Sequence, residues 1–256
     1  MSNPDPVKVS IQHLSLAYSD GKESLRNVSL DVRSHAITVL FGPAGGGKST
    51  LLRTINRLND LTDVVHVSGS VRLDGEDILD PATDLISLRR RVGMVFARPV
   101  VLPMSVRQNL TYGLELAGER NPARLAELVE RSLRAAALWE EVEGRLDDPA
   151  ISLSGGQQQR LCLARVLALE PEVIMLDEPT SGLDPISTGK VETSLQELKH
   201  EYTLLLVPHS VQQAARTADY AAFMLEGELI EFGPGKDLFT RPQEQRTEDY
   251  IEGRFG

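Results

Sequence analysis

Hydrophobic positions follow two different periods along this chain, and the changes of period mark the predicted elements. Apolar and polar residues alternate at 7–11 and 28–32, a pattern typical of half-buried antiparallel strands. Uninterrupted apolar runs occur at 36–41, 173–176 and 203–207, as in strands buried on both faces. The two later runs each follow a helical stretch, so the pattern predicts a mostly parallel α/β sheet preceded by an antiparallel β unit.

Residues 100–170 carry helical periodicity and predict a helix-rich insertion, with 123–142 as its clearest amphipathic stretch. Residues 221–233 predict a closing hairpin that turns at 226–227. The chain contains no internal repeat and no low-complexity linker, and 256 residues suit one large domain. The candidates for a small core in the insertion are Met104, Leu110, Leu125, Leu128 and Trp139.

Composition narrows the classes of function. The net charge is −10, which disfavours a nucleic-acid partner because a phosphate backbone requires a basic face. The single cysteine, Cys162, excludes an internal disulfide and a cysteine zinc site, and its apolar neighbours indicate a small buried residue. The first ten residues show no signal pattern, and no stretch of about 18 apolar residues occurs, so a membrane role would need a separate partner.

The segment GPAGGGKS, residues 42–49, fits the phosphate-loop pattern and lies between a predicted buried strand and a helix. Glycines let backbone N–H groups approach phosphate oxygens, and the N-terminus of the following helix favours negative charge. Lys48 is placed to reach the β- and γ-phosphates, and the Ser49 hydroxyl is a candidate ligand of Mg²⁺.

Three further positions lie at the ends of predicted strands. Asp177 and Glu178 follow a buried strand, where Asp177 suits Mg²⁺ and Glu178 suits polarising the water that attacks the γ-phosphate. The alternative is an acidic turn that caps a helix. His209 follows another apolar strand and is either a γ-phosphate contact or a turn residue. Tyr18 is either a stacking partner for adenine or a core residue.

The segment LSGGQ, residues 153–157, places two glycines where a helix begins, although glycine disfavours helix by about 1 kcal/mol relative to alanine. Ser154 and Gln157 fit the capping-box pattern, so the N-terminus of the helix is well defined and offers an anion site. The chain already has a phosphate loop of its own. The residues alone therefore predict a phosphate-loop nucleotidase with a second anion site of unknown use.

LSGGQ and its neighbours resemble the signature motif of the ATP-binding-cassette (ABC) ATPases, and SGLD (181–184) resembles the D-loop of that family. The resemblance covers nearly the whole chain and implies a RecA-like ABC ATPase fold that binds ATP and Mg²⁺. It implies a catalytic core with the β subdomain at 1–97 and 171–256, and a helical subdomain at 98–170. It also implies a head-to-tail dimer, in which each signature clamps the γ-phosphate on the partner's phosphate loop.

The resemblance assigns roles to individual residues. The nucleotide-binding residues are Tyr18, Gly42, Pro43, Ala44, Gly45, Gly46, Gly47, Lys48, Ser49 and Thr50. The catalytic residues are Lys48, Glu178 and His209, and the metal ligands are Ser49 and Asp177. The residues that act on the partner's nucleotide are Ser154, Gly155, Gly156, Gln157 and Asp184.

Several stretches resemble more specifically the phosphate-importing branch of the family, above all LDPIST and the tail RTEDYIEGRFG. This resemblance implies an ATPase that drives phosphate import from the cytoplasmic face of the cell membrane, held there peripherally. Its partners would be a second copy of itself, two transmembrane permease subunits and, indirectly, a solute-binding protein.

The sequence departs from the family pattern at three places. Ala97 stands where the family has glutamine, Pro208 replaces the usual threonine, and residues 100–102 read Val-Val-Leu instead of Asn-Pro-Phe. These positions lie on or near the surface that contacts membrane subunits in the family. The departures therefore concern coupling to those subunits and the identity of the transported solute more than ATP binding.

Other functions remain as alternatives. The chain would serve an importer of another solute if the phosphate branch is misassigned. A soluble ABC ATPase of DNA repair or translation is disfavoured by the acidic charge, the absence of zinc cysteines and the single set of motifs. A phosphotransferase kinase is disfavoured by LSGGQ and by the lack of an obvious acceptor pocket.

Overall fold

The computed structural model describes residues 6–254. Residues 1–5, and the last two residues of the tail motif, lie outside the described residues. The strands are β1 Val7–Tyr18, β2 Glu23–Arg33, β3 Ile37–Phe41, β4 Val64–Leu73, β5 Glu76–Asp77, β6 Val92–Val95, β7 Val173–Asp177, β8 Thr203–Val207, β9 Tyr220–Leu225 and β10 Glu228–Pro234. The α-helices are α1 Lys48–Ile55, α2 Leu85–Arg91, α3 Val106–Leu116, α4 Pro122–Ala135, α5 Trp139–Val142, α6 Gly155–Ala168, α7 Pro185–Leu198, α8 Val211–Thr217, α9 Gly235–Thr240 and α10 Gln245–Ile251.

Two sheets carry the fold among these residues. The first has the order β2-β1-β4-β5 with antiparallel pairing, as the alternating N-terminal pattern predicts. The second has the order β10-β9-β3-β8-β7-β6, and only its β9–β10 pair is antiparallel. The predicted fold class, a mostly parallel sheet with an antiparallel β unit and helices, is therefore confirmed.

The central strands β3, β7 and β8 are buried along their whole length. Successive side chains of a strand point to opposite faces, so each of these strands feeds two cores. Ile174 and Leu176 belong to the core beneath the helical segment, whereas Val173 and Met175 belong to the core that contains α1 and the antiparallel sheet. An uninterrupted apolar run is needed because neither face of these strands meets water, as predicted.

The helix-rich segment predicted between β6 and β7 is present and differs from prediction in one respect. The amphipathic stretch contains two helices, α4 and α5, with Ala137 in the left-handed region between them (φ 50°). Leu110 and Leu128 are buried as predicted, but they belong to the same core as the strands of the main sheet rather than to a separate small core. The subdomain boundaries at 98 and 170 stay a prediction.

The closing hairpin forms as predicted from β9 and β10, and Glu226 and Gly227 make its turn with positive φ of 50° and 86°. Within residues 6–254, none of the helices has the length and apolar character needed to cross a membrane.

Candidate nucleotide site

The loop between β3 and α1 adopts a conformation that only glycine tolerates at its key positions. Gly42, Gly45 and Gly47 have φ of 139°, 77° and 95°. A Cβ on Gly42 would lie 2.0 Å from the carbonyl oxygen of Met224, and one on Gly47 would lie 2.6 Å from that of Ser24. Glycine therefore serves both the turn itself and the close approach of neighbouring backbone.

The turn of the β9–β10 hairpin holds this loop from behind. The Gly227 N–H donates to the Gly46 carbonyl at 3.2 Å, and the Arg26 N–H donates to the Gly227 carbonyl at 2.8 Å. Backbone groups of three distant parts of the chain thus satisfy one another, and the shape of the loop is set before any ligand arrives.

The loop opens on a cavity of about 260 Å³. Its lining residues are Lys22, Ser24, Ala44, Gly45, Gly46, Gly47, Lys48, Ser49, Thr50 and Glu178. The structure thereby brings most of the predicted nucleotide-binding residues together with one predicted catalytic carboxylate. Lys22 and Ser24 were not predicted, because a lysine in an exposed turn and a serine at a strand start carry no periodic signal.

Lys48 lies at the floor of the loop. Its Nζ donates to the carbonyl oxygens of Gly42 and Pro43, both at 2.8 Å. Burial lowers the pKa of Lys48 below its usual value, while the charges of Glu178 and Asp177 oppose that shift. The ammonium group is therefore held inside the loop by backbone dipoles, with two carboxylates acting on it.

Ser49 and Asp177 meet across the site. The Ser49 hydroxyl donates to Asp177 Oδ1 at 3.1 Å, and Asp177 is 9% exposed at the end of β7. Two oxygen donors, one of them a carboxylate, thus face each other beside the phosphate loop. A buried carboxylate whose hydrogen bond comes from a neutral hydroxyl favours a cation at this point.

Glu178 has an unusual backbone conformation. Its φ is 49°, in the left-handed region that costs a residue with a side chain roughly 1–3 kcal/mol. Its N–H still donates to the Val207 carbonyl at 2.9 Å, so pairing between β7 and β8 extends to this residue. The turn begins here, and the half-exposed side chain lines the cavity instead of continuing along the strand.

Among the residues predicted for this site, Tyr18, Gly42, Pro43, Asp177 and His209 lie outside the lining of the cavity. The Tyr18 hydroxyl donates to Asn59 Oδ1 at 3.2 Å and lies 3.4 Å from Thr50 Oγ1, which ties it to the start of α1. His209 follows β8 as predicted; its side chain is exposed, and its backbone N–H donates to Gln213 Oε1 at 2.8 Å. Contact of Tyr18 or His209 with nucleotide stays a prediction.

The capping box predicted at the start of α6 is present. Ser154 Oγ accepts from the Gln157 N–H at 3.3 Å, and Gln157 Oε1 accepts from the Ser154 N–H at 2.9 Å. None of residues 154–157 lines the cavity beside the phosphate loop of the same chain. The two signature glycines differ in surroundings, since a Cβ on Gly155 would meet open space.

Gly156 faces α7 within the chain itself. A Cβ there would lie 2.7 Å from Ser187 Oγ and 3.1 Å from Ser187 Cβ, so a larger residue would require the Ser187 side chain to move. Asp184 caps α7 and accepts from the N–H groups of Ile186 and Ser187 and from the Ser187 hydroxyl, at 2.9, 3.0 and 2.6 Å. These bonds, the Ser187 hydroxyl above all, lower the pKa of Asp184.

Comparison with known proteins gives a consistent result. Residues 25–181 match the model of the family described as ABC transporter. The chain is 52% identical over 247 residues to the phosphate import ATP-binding protein PstB 3 of Streptococcus pneumoniae serotype 4, covering 96% of this chain and 98% of that protein. It is 52% identical over 252 residues to PstB 1 of Streptococcus pyogenes serotype M3, covering 98% and 99%.

Solved structures of similar fold include cbiO1 from Clostridium perfringens, part of the ABC transporter complex cbiONQ. The TM-score is 0.81 at 27% identity, covering 98% of this chain and 97% of that one. A second is the dimeric ATP-binding cassette MJ0796 in a post-hydrolysis state bound to ADP and Pi. Its TM-score is 0.77 at 27% identity, with 89% of this chain and 99% of that one covered.

Proposed function

The chain belongs to the ABC transporter family, and from that membership and its site we propose that it is the ATP-hydrolysing subunit of a phosphate importer. The observation that carries the ATPase assignment is the meeting of Ser49 and Asp177 beside the phosphate loop, with Glu178 lining the same cavity. The choice of phosphate is supported by 52% identity, over nearly the full length, to two phosphate import proteins.

The donor set fits Mg²⁺. A hydroxyl and a carboxylate are hard oxygen donors, and neighbouring ligands of an octahedral ion with bonds of about 2.05 Å lie about 2.9 Å apart. The 3.1 Å between Ser49 Oγ and Asp177 Oδ1 is close to that spacing. These two residues would hold the ion, Asp177 directly or through water, and the bound ion would neutralise charge on the β- and γ-phosphates.

The protein groups divide the remaining work of hydrolysis. Backbone N–H groups of residues 44–50 bind the phosphates, and Lys48 exchanges its contacts with loop carbonyls for contacts with phosphate oxygens. Glu178 accepts a proton from the attacking water, and His209 contacts the γ-phosphate from the end of β8. Tyr18 stacks on adenine.

The signature residues act on a second copy of the chain. Ser154, Gly155, Gly156 and Gln157 would bind the γ-phosphate held by the partner, with Asp184 at the dimer seam. The position of the signature outside its own cavity supports this arrangement. So does the similarity to a cassette solved as a dimer.

A groove between the main sheet and the helical segment suits the membrane subunits. It has a volume of about 320 Å³ and a mainly apolar lining that includes Met94, Leu102 and Leu169. Beside it Val100 is 62% exposed and, on α3, Leu116 is 68% exposed. We propose that, in the dimer, each of the two copies receives an apolar segment of one permease subunit in this groove. This contact would hold the chain peripherally on the cytoplasmic face of the membrane, downstream of a solute-binding protein.

Reconstitution tests this function. The chain is combined with its two permease subunits in lipid vesicles that enclose ATP on the same side as the chain, and the solute-binding protein is added outside. Uptake of radiolabelled phosphate from outside is measured, with Lys48→Ala as the control. We expect uptake that requires ATP and Lys48. Uptake of a different solute, such as sulfate, with none of phosphate would assign the chain to another importer. Hydrolysis stimulated by DNA or ribosomes, and not by permease subunits, would overturn the transport assignment.

A further inference from the structure

One carboxylate outside the nucleotide cavity joins three elements. Glu141, on the short helix α5, accepts two hydrogen bonds from the Arg160 guanidinium, at 2.9 and 3.0 Å. It also accepts from the side-chain amide of Gln157 at 3.0 Å and forms an ion pair with Lys190 of α7. A single side chain therefore contacts two residues of α6, the signature helix, and one residue of α7, the helix that follows the D-loop.

Arg160 depends on this carboxylate. Its side chain is 3% exposed, and a guanidinium so deeply buried is strongly destabilising without a charged partner. The remaining donors of Arg160 reach the carbonyl oxygens of Ala137 and Gly156. The pair thus links α5 to the backbone of a signature glycine. The Arg160 hydrogen bond is the main reason that the pKa of Glu141 is lowered to about 2, so Glu141 is charged at any physiological pH.

The contact with Gln157 reaches the cap of the signature helix. The oxygen of the Gln157 amide accepts from the Ser154 N–H, and its nitrogen donates to Glu141. An amide whose two ends are both engaged has one orientation, so Glu141 fixes the side chain that closes the capping box. The orientation of the N–H groups at residues 154–157 depends on that box.

The contact with Lys190 fixes the signature helix α6, through Glu141, relative to α7. Lys190 lies on α7 three residues after Ser187, whose Oγ is 2.7 Å from the position that a Cβ on Gly156 would occupy. The signature and the D-loop would be offered to a second copy side by side, so their relative position decides whether both fit at once.

We propose that Glu141 is a positioning residue for ATP hydrolysis. It holds the start of the signature helix in register with α7, so that residues 154–157 and Asp184 meet the partner's nucleotide together. This inference rests on the proposed head-to-tail dimer. Glu141 itself touches neither nucleotide nor reacting atoms; it acts through Gln157, Arg160 and Lys190.

The experiment compares variants in a Glu178→Gln background, where bound ATP persists. Glu141→Gln keeps the shape but replaces an acceptor of two cations by an amide. Lys190→Ala removes only the contact with α7 and leaves the buried pair with Arg160 intact. The matched control is Glu140→Gln on the same helix, because Glu140 pairs only with Arg134 of α4 among the described residues. Fluorescent ATP binding to the monomer and ATP-driven dimerisation by light scattering are measured for each.

We expect the monomer of Glu141→Gln to have a nucleotide Kd within about two-fold of the parent's. The dissociation constant of its dimer should rise at least about 10-fold. Lys190→Ala should weaken the dimer about two- to five-fold, and Glu140→Gln should match the parent. In the protein that keeps Glu178 and can turn over ATP, Glu141→Gln should lower kcat without raising KM in proportion. A thermal melt of each variant checks folding.

The proposal is overturned if the dimer of Glu141→Gln is as strong as that of Glu140→Gln. It is also overturned if Glu141→Gln loses monomer binding as much as dimerisation, or if it unfolds while Lys190→Ala dimerises normally, since each result indicates a purely structural pair. Failure of the Glu178→Gln parent to dimerise with ATP and Mg²⁺ would instead refute the proposed dimer, before any Glu141 variant is compared.

Discussion

The hydroxyl of Ser49 donates to the carboxylate of Asp177 across 3.1 Å, although the two residues are 128 positions apart in the chain. The pair joins the first turn of α1 to the end of β7. It places the Asp177 carboxylate beside the last residue of the phosphate-loop motif.

We expect Asp177→Asn to keep the hydrogen bond with Ser49, because the amide oxygen still accepts, but to lose the negative charge that attracts the cation. The Mg²⁺ concentration needed for half-maximal hydrolysis should rise about 10- to 100-fold. A Mg²⁺ titration of ATPase activity measures this, with exposed Asp237→Asn on α9 as the control. An unchanged Mg²⁺ midpoint would remove Asp177 from the metal site.

Glu178→Gln should bind ATP and hydrolyse it about 10²–10⁴-fold more slowly, because the attacking water loses its proton acceptor. The left-handed backbone at this position should be unaffected by so small a change. Single-turnover kinetics give the rate, and light scattering should detect a lasting dimer. A monomer at saturating ATP and Mg²⁺ would contradict the paired arrangement.

Ser154→Arg should abolish hydrolysis while the monomer still binds nucleotide, because Ser154 lies outside the cavity of its own chain. Lys48→Ala is the reference, since Lys48 lines that cavity and should lose binding. Fluorescent-nucleotide titration of the two variants separates the cases. Equal loss of binding in both would place the signature and the phosphate loop of one chain in a single site.

Ala97→Gln should raise the rate of hydrolysis at least several-fold with little change in nucleotide Kd. The resemblance to the ABC family implies that a glutamine here would reach Mg²⁺ and the attacking water, and a hydrogen bond to a charged group is worth roughly 1.5–3 kcal/mol. Nucleotide affinity should change little, because the ground-state contacts of ATP are expected from residues 42–50. The neighbouring loop is already tied to the signature helix, because buried Gln159 donates to the Phe96 carbonyl at 2.9 Å. The kcat at saturating ATP tests this prediction. An unchanged rate in a folded variant would show that this chain orders the attacking water by other means.

Glu172→Gln tests an ion-pair cluster far from the site. Arg91 above all, together with Lys8, lowers the pKa of Glu172 to about 2. Because the folded pKa lies below the unfolded value, the pair stabilises the protein above about pH 5 and this contribution is lost as the pH falls toward 2.

We therefore expect Glu172→Gln to lower the free energy of unfolding by about 1 kcal/mol at pH 7, a modest value because the carboxylate is over a third exposed and screened by solvent. The difference from the parent should shrink below about pH 4. Urea unfolding at pH 7 and at pH 3 measures it, with Glu76→Gln, a 75% exposed partner of the same Arg91, as the control. A difference of equal size at both pH values would rule out the charge as its source.

Local pattern was sufficient for the elements that make the site. The apolar runs predicted β3, β7 and β8, and the motif spacing predicted which loop would hold Lys48 and Ser49. Both rest on interactions between residues a few positions apart, where periodicity and turn chemistry decide the conformation.

Contacts between distant segments were not predictable in the same way. Nothing near Gly42 indicates that Met224 would press against it, and nothing near Glu141 indicates that Lys190 would be its partner. The pattern of 123–142 likewise does not indicate where α4 ends and α5 begins, because the residues around Ala137 are good helix formers.

The position of β3 in its sheet has a consequence for how the protein is made. β3 carries the phosphate loop, yet its two neighbours are β8 and β9, which begin at Thr203 and Tyr220. The strand is synthesised early but has no partner until more than 160 further residues have been translated, and the hairpin turn that clamps Gly46 comes later still. Closing so long a loop is slow, so a growing chain on the ribosome has no formed nucleotide site for most of its synthesis. ATP can bind only to a nearly finished molecule.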